Sequence, residues 1–395
     1  MSDALRPRLN ATWTDFSYLA IWGYLLYGVG TATPYIRADL GLTGFEAGLH
    51  ASALAVGVLA AGLTADSVAQ KIGANRLLDI AVVDLIFAVV LIAAAPALPI
   101  SLAGALLIGL GGASLGTPIN VSLGRSGGAE GRKLMAQANA WAMVTAAAAP
   151  LAIGIAAAQL HAWRIGLLLP IAAFVVVAAL RTRQAEAPAQ PRGPKASLPG
   201  SYWFVWAFIV IGVAIEFSFV YWGSTVVGRK TGISSADATI LASLFIVGMF
   251  IGRAAIGAGL GAGRGIRVLM AAGLGLICIG GSLIWLSSNQ ALSGLGLLVG
   301  GLGTAGMWPL GVTLALQDAP GAQLQAAARA TLASGVAVLF APSALGLIGD
   351  SIGVVSAWPA ILVMAVTGLV LLAVAPAATG QAPPDLAPPP SAALT

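Results

Sequence analysis

Gly109-Leu110-Gly111 precedes Pro150 by 41 residues, and Gly301-Leu302-Gly303 precedes Pro342 by the same interval, 192 residues further along the chain. A second set of short segments repeats at an offset of 191 residues: Gly41-Leu42-Thr43, Ala51-Ser52 and Val56-Gly57 recur as Gly232-Ile233-Ser234, Ala242-Ser243 and Val247-Gly248. Both offsets are almost half of the 395 residues, so the sequence is built from two related halves.

The composition is that of a membrane protein. Apolar residues make up 58% of the chain and charged residues only 8%, with a mean hydropathy of +0.94, whereas about a quarter of the residues in an average soluble domain are charged. So few charges cannot cover a soluble surface of this size, and most of the surface is therefore expected to face lipid. The basic residues are scattered singly, so no nucleic-acid partner is expected. The lone Cys278 excludes a disulfide framework, and His50 and His161 lack metal-ligand spacing.

Apolar segments of helix length predict twelve membrane spans, each near the roughly 20 residues that cross the hydrocarbon layer. The first segment is too long for the apolar region of a signal peptide. The predicted limits are 13–36, 45–66, 77–97, 100–123, 136–158 and 165–180, then 201–227, 237–258, 268–287, 291–316, 330–349 and 356–377. Related halves of six spans each favour a transporter with its site between the halves.

The basic residues predict the orientation. With the N-terminus in the cytoplasm, 14 Lys and Arg residues fall in inner segments and 4 in outer ones, namely Arg37, Arg164, Arg229 and Lys230. This asymmetry predicts a multi-pass protein of the plasma (inner) membrane with both termini cytoplasmic. A monomer in the lipid bilayer is expected.

Two segments are predicted to lie outside the membrane. Residues 181–200 mix charged residues with prolines and suit a cytoplasmic linker, so residues 1–180 and 201–377 are predicted to be the two six-helix halves. Residues 378–395 are rich in Pro and Ala and are expected to be a disordered cytoplasmic tail.

The segments around the first turn form a recognisable pattern: Pro34, Asp39-Leu40-Gly41-Leu42-Thr43 and Ala47-Gly48. They are similar to the first hairpin of the major facilitator superfamily, and the order of six spans, a linker and six spans matches its organisation, so the chain resembles that family over nearly all of its length. The resemblance implies an all-α integral membrane fold of 12 transmembrane helices in two pseudo-symmetric halves.

The loop after span two resembles the family's gating motif, Gly-x-x-x-Asp-Arg-x-Gly-Arg-Arg/Lys. Gly62 and Asp66 fit the front of the motif, but its back fits only after an insertion, and in that register Gln70 takes the place of the Asp. The resemblance implies gating roles at four positions here, with the basic Arg253 in the second half: Asp66, Lys71, Gly73 and Arg76.

Glu216 is the sharpest candidate for chemistry, because it lies near the middle of span seven between Ile215 and Phe217. An ionised carboxylate at such a depth costs roughly 2.5–3.5 kcal/mol on insertion scales, so it should face the central cavity or be protonated. We therefore predict that Glu216 couples transport to protons. The alternative is a neutral glutamic acid that bonds to a neighbouring helix. Asp84 lies in span three, which is usually peripheral in the family, and is expected to pack against its neighbours.

Arg253 has two interpretations. It aligns with Gly62 of the first half, which favours a gating or structural contact near the cytoplasmic end. Alternatively, its guanidinium contacts an anion or pairs with Glu216.

Polar and aromatic residues on the inner spans predict a substrate cavity in which a few polar groups orient an apolar ligand. Helix packing through the same side chains is the alternative. The candidates are Tyr24, Tyr27, Thr117, Asn120, Asn139, Trp141, Trp222, Trp308 and Thr331.

The sequence lacks an ATP-binding loop and a metal cluster, so neither a cofactor nor an enzymatic activity is expected. A receptor or scaffold would carry a further soluble domain, which no segment here resembles. The prediction is a proton-coupled transporter of a small organic molecule that alternates access. The stretch Ala149-Pro150-Leu151-Ala152-Ile153-Gly154 is similar to the span-five motif of antiporters and favours efflux. The alternative is proton-coupled uptake of a sugar or neutral metabolite.

Overall fold

The computed structural model describes residues 5–124, 128–181, 198–259, 264–319 and 322–375. Across these ranges the chain is helical and contains no strand. The helices are α1 (Leu5–Leu40), α2 (Gly44–Ile72), α3 (Ala74–Ala94), α4 (Leu98–Gly124), α5 (Gly128–Leu160), α6 (Trp163–Leu180), α7 (Gly200–Thr231), α8 (Ser235–Gly257), α9 (Ile266–Leu286), α10 (Gln290–Thr304), α11 (Met307–Gln317), α12 (Gln323–Ile352), α13 (Val354–Ala357) and α14 (Ala360–Val374).

These helices form twelve spans, as predicted. Within the described ranges, eleven segments are long and apolar enough to cross a membrane, and α10 with α11, like α13 with α14, forms one such segment. The twelfth span is α1, which is long but carries Tyr, Thr and Gly along its length. Most of α1 from position 14 to 36 is buried among other helices, so it does not need an apolar surface. The predicted linker and tail fall largely at 182–197 and 376–395, outside the described residues.

The repeated glycines form the same close helix crossing in both halves. A Cβ added at Gly57 of α2 would lie 2.0 Å from the Leu106 carbonyl of α4, and one added at Gly109 of α4 would lie 2.0 Å from the Leu54 carbonyl of α2. In the second half, Gly248 and Gly301 meet the carbonyls of Leu298 and Phe245 at 2.2 and 1.9 Å in the same way. Only glycine lets the two backbones approach this closely, which accounts for the repeat.

The other repeated segment starts a helix in each half. Gly41 and Gly232 have φ angles of +63° and +75°, a left-handed conformation that favours glycine. Two residues later, Thr43 and Ser234 are the N-cap residues of α2 and α8, and each hydroxyl accepts a hydrogen bond from a backbone N–H in the first turn. The segment therefore reverses the chain and caps the next span.

The two halves, α1–α6 and α7–α14, meet mainly along three helix pairs. Helix α1 packs on α7, α2 packs on α12, and α5 packs on α8. We call the side of the bundle where α1 ends and α2 begins the loop side, and the side where α1 begins the terminal side.

Candidate functional site

The site lies between the halves, near the middle of α7. The Tyr27 hydroxyl on α1 donates a hydrogen bond of 2.5 Å to the Oε1 atom of Glu216 on α7. The Tyr27 ring also stacks on Phe217, with ring centroids 6.3 Å apart. One half of the protein thus supplies the hydrogen-bond donor and the other half supplies the carboxylate.

Glu216 is only 5% exposed, within a stretch of α7 that is buried on every side from position 212 to 224. Two charged or titratable side chains from other helices interact with it, namely Tyr27 of α1 and Arg253 of α8. A carboxylate buried this deeply needs such partners when it is ionised. Protonation of Glu216 therefore changes its attraction to Arg253 and its hydrogen bond with Tyr27 of the opposite half.

Arg253 is anchored by a break in the tenth span. Pro309 has no N–H, so it cannot donate the helical hydrogen bond to the carbonyl of Ala305, four residues earlier. The span is interrupted there, between α10 and α11. The freed Ala305 carbonyl accepts a hydrogen bond of 3.3 Å from Nε of Arg253.

The remaining contacts of Arg253 reach across to the first half. Its Nη1 atom donates to the Met143 sulfur of α5 at 3.0 Å, and the guanidinium approaches the Tyr27 hydroxyl. Among the described residues it forms no direct ion pair, so its charge acts on Glu216 through the intervening space. Arg253 therefore influences Glu216 without pairing with it directly, and both interpretations of its role remain predictions. Sequence reasoning missed Met143 and Ala305; Pro309 is the signal from which a break in the tenth span could have been predicted.

A carboxylate of the second half holds the halves together on the loop side. Asp350 of α12 accepts hydrogen bonds from the backbone N–H groups of Gly44 and Phe45, at 2.7 and 2.8 Å, and lies 3.6 Å from the Arg37 guanidinium. Both N–H groups belong to the first turn of α2, which has no helical acceptors for them. Asp350 therefore caps a helix of the opposite half, where the helix dipole also favours a negative charge.

Two further contacts close the loop side. The Ser52 hydroxyl lies 2.7 Å from that of Ser343 and donates to the Leu339 carbonyl at 2.6 Å. On the other flank, Tyr35 donates to Thr239 at 3.0 Å. The loop side of the interface is therefore sealed by polar contacts on both flanks.

The interface opens towards the terminal side. Leu59 of α2 packs against Gly335 of α12, but Leu63, one turn nearer the terminal side, is 73% exposed. Similarly, Met143 is buried against Arg253, but Asn139, one turn nearer the terminal side on the same face, is exposed. The two halves are therefore separated on the terminal side of Glu216.

Several of the predicted cavity residues lie on this open side. Asn120, Asn139 and Thr331 are exposed, and Thr117 is half-buried one turn deeper than Asn120 on the same face of α4. Trp308 is 40% exposed and donates from Nε1 to the Ser334 hydroxyl at 2.8 Å. These side chains come from both halves.

Three predicted cavity residues lie elsewhere. The Tyr24 hydroxyl donates to the Gly166 carbonyl of α6 at 2.5 Å, inside the first half. Trp222 is buried, and its Nε1 donates to the Pro342 carbonyl at 2.9 Å, inside the second half. Trp141 shares an exposed apolar stripe of α5 with Val144, Leu151 and Ile155, as a lipid-facing residue would.

The residues of the predicted gate lie at the terminal ends of α2 and α3. Asp66, Lys71 and Arg76 are exposed and form no ion pair with the described residues. Gly73 joins the two helices with a φ of +90°, which requires glycine there. The gating role of these residues therefore stays a prediction.

Comparison with known proteins gives a family. The family model of the Major Facilitator Superfamily matches residues 16–289, which is well over half of the chain. No curated protein matches the sequence.

Solved structures share the fold at low sequence identity. A D-xylose-proton symporter has a TM-score of 0.78 and 13% identity, with 93% of this chain and 97% of that chain covered. A mutant form of the nucleoside transporter NupG has a TM-score of 0.77 and 13% identity, over 92% and 98% of the two chains. A bacterial homologue of the human lysosomal transporter Spinster, inward-facing and occupied, has a TM-score of 0.75 and 12% identity, over 95% and 97%. These likenesses are in fold.

Proposed function

This chain belongs to the major facilitator superfamily of transporters, and we propose that it couples the movement of a small organic molecule to a proton carried by Glu216. The observation that supports the proposal most directly is the hydrogen bond from Tyr27 to Glu216, because it joins the two halves through a titratable group. We place the protein in the plasma membrane as a monomer, with the terminal side in the cytoplasm, since the basic residues concentrate there.

The coupling step follows from the contacts of Glu216. When the carboxylate is ionised, it attracts Arg253 and accepts from Tyr27, so α1, α7 and α8 are held together. Protonation removes the charge and weakens both interactions, because hydrogen bonds and ion pairs with a charged partner are the stronger ones. The bond from Tyr27 is the contact of Glu216 that crosses between the halves, so its weakening lets the halves rock. The loop-side contacts of Asp350 then break, and the site opens on the opposite side.

The position of Arg253 favours symport over the antiport suggested by the sequence. In antiport of a cation, the substrate and the proton compete for one carboxylate, but a neighbouring guanidinium repels a cation from Glu216. In symport, the proton and the substrate occupy the site together, and protonation of Glu216 leaves Arg253 available.

Antiport is the second candidate, supported by the span-five segment. A Cβ added at Gly154 would lie 2.6 Å from the Ile240 side chain and 3.0 Å from the Ala236 carbonyl of α8. The segment that resembles the antiporter motif therefore lies in the interface between the halves.

The test is proton movement in proteoliposomes, followed with a pH-sensitive dye while a panel of compounds is added outside. We expect wild type to carry protons inward with a transported compound. Protons that move outward in exchange would establish antiport instead. Measured substrate flux without proton movement would refute proton coupling.

Two carboxylate variants make the test specific for Glu216. Glu216→Gln should abolish proton-driven flux and leave protein folding and substrate exchange intact. Asp84→Asn is the matched control, because Asp84 also lies within a span but faces Gly111 of α4 and a groove lined by Ile80, Val83 and Phe87, away from the interface. Equal loss of driven flux in both variants would contradict the role of Glu216.

A further inference from the structure

Arg253 is a cation in the terminal-side half of α8, and its hydrogen-bond donors are poorly used. A guanidinium carries five N–H donors. Those of Arg253 reach uncharged acceptors, namely the Ala305 carbonyl, the Tyr27 hydroxyl and the Met143 thioether, which is a weak acceptor. The side chain is only half-buried, and Asn139 is exposed one turn below Met143 on the open side.

The charges at the site add up differently in its two protonation states. With Glu216 ionised, one negative and one positive charge lie close together, and the site is neutral. With Glu216 protonated, the charge of Arg253 has no ionised partner in direct contact among the described residues, since Arg253 forms no ion pair with them. An uncompensated charge within a membrane span is costly.

We propose that Arg253 binds the negatively charged group of the substrate, and that the substrate is an organic monoanion, a carboxylate with an apolar body. This inference rests on the proposed function and adds the substrate class. One anion restores neutrality when Glu216 is protonated, so the proton and the anion bind as a pair. A carboxylate suits the planar guanidinium because it accepts two parallel hydrogen bonds.

The surroundings fit the rest of such a molecule. The partly exposed Trp308, three residues after Ala305 in the broken span, offers apolar surface. Asn139 and Thr331 offer polar groups on the open side. A carboxylate oxygen could take the place of the Met143 sulfur as an acceptor for Arg253. The exchange would strengthen the hydrogen bond, because an anionic acceptor binds a guanidinium far better than a thioether does.

The experiment compares three probes of one shape, namely benzoate, benzamide and benzylamine, which are an anion, a neutral molecule and a cation. Binding to the purified, full-length protein is measured by thermal stabilisation at constant ionic strength, at about pH 6 and about pH 8. We expect benzoate to bind and the other two to bind weakly or not at all. Benzoate should bind more tightly at the lower pH, by at least about 5-fold and at most about 100-fold, because one coupled proton changes an affinity by no more than about tenfold per pH unit.

Two variants separate substrate binding from a structural role of Arg253. In Glu216→Gln, which mimics the protonated carboxyl, benzoate should bind as tightly at pH 8 as at pH 6. In Arg253→Lys, which keeps the charge but loses the planar donor pair, benzoate affinity should fall while proton affinity at Glu216 persists.

The measurements distinguish failure of the anion site from failure of proton coupling. Failure of wild type to respond to benzoate, or equal responses to benzoate and benzamide, overturns the substrate class, whatever the proton measurements show. If benzoate binds but no proton moves in proteoliposomes, the proposed coupling fails and the anion site stands. If Arg253→Lys does not fold, the pH dependence in wild type and its loss in Glu216→Gln still decide the question.

Discussion

The close crossing of α2 and α4 predicts a large difference between two alanine substitutions on one helix. In Gly57→Ala, the new Cβ would lie 2.0 Å from the Leu106 carbonyl oxygen, whereas ordinary contact begins at 3.4 Å, so the helices must separate by about 1.4 Å. The two nearest atoms, the Leu106 carbonyl oxygen and the Leu110 nitrogen, belong to the backbone and cannot rotate away as a side chain could. In Gly62→Ala on the same helix, the new Cβ meets nothing within 4 Å.

The magnitude follows from two opposed effects. Alanine is favoured over glycine inside a helix by roughly 0.5–1 kcal/mol, and both variants share this gain. Overpacking costs typically about 1–3 kcal/mol, and only Gly57→Ala incurs it. Because the obstacle is backbone, we expect a difference near the upper end, about 3 kcal/mol, between the two variants.

The assay is unfolding in mixed micelles of mild detergent and SDS, followed by tryptophan fluorescence and circular dichroism. Gly109→Ala and Gly116→Ala repeat the comparison on α4, since the first meets the Leu54 carbonyl at 2.0 Å and the second meets nothing. If Gly57→Ala proved as stable as Gly62→Ala, the repeated glycines would not be packing residues and the explanation of the repeat would be wrong.

Three further predictions follow from individual contacts. Asp350→Asn should weaken the loop-side closure. A cysteine introduced as Ala47→Cys in a Cys278→Ser background should then react faster with an impermeant maleimide added on the loop side. Asp237→Asn is the control, because the Asp237 carboxylate accepts its hydrogen bond within its own half; unchanged labelling in Asp350→Asn would contradict the capping role. Burial raises the pKa of Asp318, just after α11, above its usual 3.8, so its ionised form is unfavourable in the folded protein. Asp318→Asn should therefore stabilise the protein at about pH 7, by an amount that shrinks as the pH falls towards 3.8; a loss of stability at neutral pH would mean that attraction by Arg267 outweighs burial. In Pro309→Ala, the N–H of residue 309 can donate to the Ala305 carbonyl, which is then no longer available to Arg253. Driven transport should fall about tenfold or more, as expected for the loss of a hydrogen bond to a charged group worth about 1.5–3 kcal/mol. Pro170→Ala in α6 is the control, and equal activity of both variants would refute the anchoring of Arg253.

Much of the architecture could be predicted because it depends on local pattern. Apolar length located the spans, and the repeated Gly41 and Gly232 segments marked the same turn in each half. The site was harder, because it depends on how each helix is rotated about its axis. Tyr24 and Tyr27 are three residues apart and so lie on neighbouring faces, and nothing local decides which of them meets α7 and which meets α6. The Met143 contact joins helices 110 positions apart in sequence and has no local signal.

The acceptor that holds Arg253 is a main-chain atom, and this separates the residue that makes the contact from the residue that controls it. Every amino acid at position 305 would present the same carbonyl, so a change in the codon for Ala305 alters packing but leaves the oxygen in place. The availability of that oxygen is decided instead at position 309, where proline withholds the competing N–H. A single codon change there can retune the site without touching any side chain in it. Natural variants with altered transport should therefore be sought at Pro309 as well as among the side chains that line the cavity.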